Sequence, residues 1–171
     1  MNKNITPTTK ERVMKSDEFI VSKTDTKGRL TYFNRIFIEY SGYDEAFLSG
    51  KQHNVVRHPE MPRSVFNMLW ATVKSGEEFI GYVKNMAADG SFYWVHATVT
   101  PSYEDERIVG FFSIRRKPDI RTITVIDGLY KKMLNAERQV GSREAIGAGT
   151  KVLMDVVNKT GKTYHEFIIS L

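Results

Sequence analysis

Hydrophobic and polar positions between residues 18 and 117 alternate at both ends and recur at helical spacing between them. Phe19–Thr24 is rich in β-formers, Asp25-Thr26-Lys27-Gly28 signals a turn, and Leu30–Phe33 returns, so a β-hairpin opens the fold. Asn34 is placed to cap a helix over Arg35–Ser41, stopped by Gly42. Asp44 can cap a second short helix ending at Gly50. From Arg63 to Ser75, Val65, Phe66, Leu69, Trp70 and Val73 share one face of a longer helix, and Gly76 ends it. Three strands follow: Glu78–Met86, Ser91–Thr100 and Ile108–Arg115. The first pair is joined at Asp89-Gly90 and the second by the charged turn Glu104–Arg107. Strands and helices segregated in this order predict an α+β domain, a five-stranded antiparallel sheet with short helices and one longer helix on one face.

The flanks are less regular. Residues 1–16 read as a polar N-terminal cap with a short helix around Lys10–Lys15, and the core domain runs over 17–118, closed by Pro118. Ile120, Ile123, Ile126, Tyr130, Met133 and Leu134 then form an apolar stripe on a linker helix within 119–138. That stripe is too narrow for a buried helix, so it docks on the domain or on a partner. Residues 139–171, with Gly141, Gly147, Gly149 and Gly161, predict a loosely patterned tail with one short helix over Lys151–Asn158.

Strand alternation places Tyr93, Val95, Ala97 and Val99 on the inner face, and Phe79, Gly81, Val83 and Asn85 on one face of the strand before it. Arg115 alternates inward with Phe111 and Ser113. The small residues Gly81 and Ala97 argue for space beneath the helices. Asn85 fits either a hairpin cap or an amide presented to the edge of a flat heteroaromatic ligand. The polar loop Gln52-His53-Asn54-Val55-Val56-Arg57-His58-Pro59-Glu60-Met61-Pro62 is stiffened by its prolines, a setting for a ligand with an anionic tail.

Composition narrows the classes. The 171 residues contain no cysteine, which removes disulfides, thiolate metal sites and cysteinyl–flavin photochemistry. The net charge of +5 is scattered, with only Arg115-Arg116-Lys117 and Lys131-Lys132 adjacent; this is a solvated surface rather than a nucleic-acid footprint. No apolar run reaches the roughly 20 residues that span a bilayer, and the polar N-terminus lacks a secretory signal, so a cytoplasmic chain without direct membrane insertion is expected. No nucleophile–base pair or Gly-rich phosphate loop stands out, so no enzyme is expected.

Tyr40-Ser41-Gly42-Tyr43, the His53–Pro62 loop, Val83-Lys84-Asn85, Tyr93-Trp94-Val95 and Ser113-Ile114-Arg115 together resemble the N-terminal PAS domain of Aer-type aerotaxis receptors. The likeness runs in unbroken order from Ser16 to Arg138, and Leu129-Tyr130-Lys131 and Leu134-Asn135-Ala136 carry it beyond the core. The Asn-x-x-Arg-His-Pro loop is its most specific part. The resemblance implies a PAS fold and non-covalent FAD acting as a redox sensor. It implies that Arg57 and His58 serve flavin binding, fitted to the pyrophosphate, and that Trp70 packs on adenine or ring. Asn85 would meet the isoalloxazine edge, and Arg115 the reactive side of the ring. Asn34 matches as well, although its capping role is a sufficient explanation. Glu60 stands where the family commonly has Asp, and Phe79 where a tryptophan near the flavin is expected.

The resemblance also implies signalling by contact with a separate membrane-bound, HAMP-type chemotaxis transducer, at the inner face of the membrane, with a homodimer as the family analogy. Full receptors continue into an anchor, a HAMP unit and a signalling hairpin, none of which occurs in these residues. The expected route runs from Asn85 and Arg115 to the sheet or the Ile120–Leu134 helix. Two rivals stand beside it: a PAS sensor for haem or another small ligand, with His53 or His58 as the iron ligand, and a ligand-free interaction module. A metal site from His53, His58 and Glu60 is weaker still, because no register converges them.

Overall fold

The computed structural model describes residues 5–171. β1 (Ile20–Asp25) and β2 (Leu30–Phe33) form the opening hairpin. Three helices follow, α1 (Arg35–Ser41), α2 (Glu45–Leu48) and α3 (Arg63–Lys74), with a 3-10 turn at His53–Val56. β3 (Phe79–Met86), β4 (Phe92–Glu104) and β5 (Arg107–Arg116) complete an antiparallel sheet of order β2-β1-β5-β4-β3. The α+β reading holds. β4 runs four residues past its predicted end because β5 continues to pair with it. Beyond Val99 its other neighbour, β3, has ended, so Pro101 sits where a missing N–H is tolerated.

Local chemistry sets the early elements. Asn34 Oδ1 accepts from the amides of Phe37 at 3.0 Å and Val21 at 3.1 Å, and its Nδ2 donates to the Phe19 carbonyl at 2.8 Å. One side chain thus caps α1 and ties it to β1. Asp44 caps α2 in the same way, through Phe47 N at 2.7 Å.

Both flanks differ from expectation. No helix forms at Lys10–Lys15. The segment runs extended beside the start of β4, with Arg12 N to Phe92 O at 2.7 Å and Phe92 N to Lys10 O at 2.9 Å, and buries Met14. Residues 1–4 of the predicted cap lie outside the described residues. The predicted tail is packed helix: α5 spans Ala145–Lys159 and α6 Tyr164–Ile169, burying Leu153, Val157, Phe167 and Ile168. α6 packs directly on β3, and both helices are preceded by α4 (Ile120–Arg138). Its stripe docks on the domain: Tyr130 donates to the Tyr82 carbonyl at 2.8 Å, and its ring lies 6.2 Å from that of Trp94. Tyr82 and Trp94 alternate away from Val83 and Val95, so α4 covers the outer face of the β3–β4 end while α3 covers the inner one.

α5 joins the two layers by packing on α3 and α4. α3 begins after Pro62, which has no side chain to cap it. Glu137 of α4 supplies the cap: Oε2 accepts from Arg63 N at 2.9 Å, and Oε1 from Ser64 N at 2.9 Å and Ser64 Oγ at 2.7 Å. A Cβ on Gly149 would lie 2.5 Å from both Glu137 Oε1 and Ser64 Oγ, so that glycine permits the close approach of α5.

Candidate functional site

A cavity of about 300 Å³ lies between the inner face of the sheet, α3 and the β1–β2 turn, at the lower end of the range for small-molecule pockets. Val83, Ala97, Val99, Phe111 and Leu69 give it an apolar floor and wall, with the Asn85 amide among them. Trp70 closes one end, edge-on to Phe111 at 5.4 Å. Its charged lining residues are Lys27, Arg57, Lys74 and Arg115, and no aspartate or glutamate lines it.

Arg115 is the deepest of these cations, 4% exposed. Alternation on β5 sends it inward with Ser113 and Phe111. Its Nη2 donates to Ser22 Oγ at 2.9 Å and to His53 Nε2 at 2.6 Å, and the guanidinium lies over the Phe37 ring at 5.6 Å. Burial lowers its pKa to about 10. Burial, and then the positive charge of Arg115, push His53 down to about 3. The imidazole is therefore neutral, its Nε2 accepts, and its proton sits on Nδ1. No carboxylate pairs with Arg115 among the described residues.

The cavity also holds unmet hydrogen-bonding capacity. Arg115 Nη1, Ser113 Oγ and Thr24 Oγ1 are buried without a partner among the described residues. All three belong to lining residues. A buried polar atom left unpaired costs about 1–3 kcal/mol, so three in one hollow make it the candidate place for a ligand's polar atoms.

The expected site residues divide into two groups. Arg57, Trp70, Asn85 and Arg115 meet in the cavity. Asn85 is 3% exposed, and its backbone bridges that of Arg57, which fixes the loop against β3. The Arg57 guanidinium donates to the Met61 carbonyl at 3.0 Å and stacks over Phe66 at 4.3 Å. Asn34, His58, Glu60 and Phe79 are not in the cavity lining. The three polar contacts of Asn34 are spent on capping. His58 accepts from Glu60 N through Nδ1 at 3.2 Å and sits edge-on to Phe92, in a cluster with Glu60 and Lys84 on the other side of β3. Burial, and then Lys84, take its pKa down to about 4, so it carries no charge for a phosphate at neutral pH. Phe79 stacks on Tyr164 of α6, 5.9 Å between centroids. The space expected above Gly81 is filled by those same two residues: a Cβ there would lie 2.8 Å from the Phe79 ring and 2.9 Å from the Tyr164 hydroxyl. Ala97 does line the cavity.

Sequence reasoning did not place Ser22, Thr24, Ser113 and His53 in the cavity as a set. Applying to β1 the alternation already used for β5 finds the first three: Ser22 and Thr24 face Ser113 and Phe111 across the ladder. The Arg115 contact at His53 Nε2 occupies the lone pair an iron ligand there would need; His58, the other histidine of the haem reading, has an unpartnered Nε2 but lies outside the cavity lining. Among the described residues, no group of three or more histidine, aspartate or glutamate side chains could hold a metal ion.

A five-stranded antiparallel sheet with its helices over an inner cavity is the PAS arrangement, and residues 30–115 match the PAS fold family. The chain belongs to that family. It is 40% identical over 122 residues to the aerotaxis receptor of Escherichia coli K12, covering 71% of this chain and 24% of the receptor. It is 30% identical over 81 residues to the nitrogen fixation regulatory protein of Klebsiella pneumoniae, covering 47% of this chain and 16% of that protein. The chain thus spans about a quarter or less of these relatives. Among solved structures, the LOV domain of a blue-light activated histidine kinase from Erythrobacter litoralis superposes with a TM-score of 0.54 at 23% identity, over 58% of this chain and 94% of that one. The dark-state LOV domain of the blue-light photoreceptor Aureochrome1 gives a TM-score of 0.56 at 17% identity, over 63% and 79%. These structures establish the fold. No helix among the described residues is long and apolar enough to cross a membrane.

Proposed function

We propose that this PAS domain is an FAD-binding redox sensor of energy taxis, acting in the cytoplasm through contact with a membrane-bound chemotaxis transducer. The observation that carries the reading is the acid-free cavity, with Arg115 Nη1, Ser113 Oγ and Thr24 Oγ1 buried and unpaired around it. A flat ring with acceptor atoms along one edge satisfies those groups while its faces meet Leu69, Val83 and Val99. The resemblance to aerotaxis receptors selects a flavin from the planar ligands that fit.

Bound FAD would supply reversible electron uptake; the chain's own residues hold and read it. Asn85 offers both donor and acceptor to the ring edge from β3. Arg115 brings a fixed positive charge to the floor, with neutral His53 and Ser22 as its alternative partners, so a change of charge in the cavity shifts the balance between them. Arg57 stands at the cavity wall nearest α3, suited by its fork geometry to a phosphate. The route outward runs through α3, whose first turn is capped by Glu137 of α4.

The test is an absorbance spectrum of the purified protein, followed by heat release and mass identification of the cofactor. A yellow protein that releases FAD and bleaches reversibly with dithionite supports the proposal. A protein that is colourless and cannot be reconstituted with FAD overturns it, and a Soret band would replace it with haem.

A further inference from the structure

A second hollow, about 580 Å³, adjoins the cavity between the His53–Pro62 loop, the end of α4 and the α4–α5 connection. Arg57 and Asn54 line both hollows, so Arg57 stands in the wall between them. The groove adds Arg63 from α3 and Arg138 from α4, against an apolar lining that includes Pro59, Leu134 and Val140. None of the three guanidiniums is ion-paired among the described residues. The single acid of the groove, Glu137, has both oxygens engaged by the first amides of α3 and by Ser64 Oγ. Arg63 Nη1 donates only to Ser142, at 3.2 Å to Oγ and 3.4 Å to the carbonyl.

We propose, resting on the flavin reading above, that this groove is the subsite for the adenosine diphosphate half of the cofactor and makes the protein select FAD over FMN and riboflavin. The chemistry is that of a diphosphate on three guanidiniums that form no salt bridge among the described residues, with a base on an apolar wall. Since α4 and the α4–α5 connection form that wall, the dinucleotide's tail ties the sensor core to the C-terminal helices, which the ring alone does not touch.

The experiment titrates apoprotein with FAD, FMN and riboflavin by flavin fluorescence, in wild type, Arg138→Glu and Lys74→Glu. Arg138 is exposed and makes no ion pair, so its replacement should leave the fold intact; Lys74 lines the cavity beside Trp70 and does not line the groove. Wild type should bind FAD about tenfold or more tightly than FMN. Arg138→Glu should abolish that margin without weakening riboflavin, and Lys74→Glu should preserve it. Free ADP should displace FAD and leave riboflavin bound. FAD, but not FMN, should slow amide hydrogen exchange across Leu134–Ala145. Equal FAD and FMN affinities in wild type overturn the inference and leave the flavin reading standing. So does an Arg138→Glu variant that binds all three as wild type does or loses all three alike, and so does loss of the margin in Lys74→Glu instead. Failure of wild type to bind any flavin overturns both.

Discussion

Two buried cations, on opposite faces of the sheet, are handled in contrary ways. Lys84, on the outer side of β3, meets Glu60 at 2.5 Å and lies 4.2 Å from the centroid of the Phe92 ring. Its charge has both a counter-charge and a π-face, as a structural cation requires. Arg115, on the inner side, has a neutral imidazole, one hydroxyl and an unpaired Nη1. A lone buried charge is expensive to fold around, and the domain accepts it at a cavity free of acids. On the proposed reading, the difference separates a residue that serves the fold from one kept for a ligand, which their near-equal burial does not.

Removing the unpaired cation gives the largest effect. Arg115→Met should lower FAD affinity on the order of tenfold to a hundredfold while leaving the apoprotein as stable as before, or more so, by urea unfolding. Glu137→Ala tests the same contrast with a buried charge on the paired side. Loss of the α3 cap should cost about 2 kcal/mol of stability in urea.

The acid limb comes next. His53 ionises at about 3 in the folded state against about 6.5 unfolded, so the unfolded chain takes up a proton in that window and the folded one does not. Stability should therefore fall as pH drops below about 6.5. His53→Gln, which keeps an acceptor for Arg115, should remove about 1.4 kcal/mol per pH unit of that slope near pH 5.

Glu60→Gln should have the smallest effect. Lys84 holds the Glu60 carboxyl below its ordinary range, so the pair contributes above that range and fades as pH falls through the lowered value. Glu60 is 52% exposed, so the loss should be a few tenths of a kcal/mol, with flavin affinity unchanged. A large loss of flavin affinity in this variant would place the outer cluster in the site after all.

Elements with local causes were legible in the sequence. Asn34, Asp44, Gly42 and the Asp89-Gly90 turn determine their own conformations through caps and positive φ, and α1 begins and ends where they predict. Inward alternation placed Arg115 on the inner face with Ser113 and Phe111, and both Arg115 and Asn85 line the cavity. What failed depends on distant partners. The glycines at 147 and 149 read as loose chain, yet Gly149 makes room for Glu137, and Gly81 for Phe79 and Tyr164. The segment around Lys10–Lys15 pairs with Phe92 instead of coiling, and no local pattern announces a bridge across some 80 residues. His58 and Glu60 share the loop with Arg57 but turn to the opposite side of β3, since adjacent residues in an extended segment point opposite ways.

The central claim is that Arg115, and not Lys84, is the cation kept for a ligand. Titration calorimetry of apoprotein with FAD, run side by side on wild type, Arg115→Met and Lys84→Met, tests it most directly. One-to-one binding that is weakened at least tenfold by Arg115→Met and retained in Lys84→Met is the predicted result. Undiminished binding in Arg115→Met, or no binding in wild type, would contradict it.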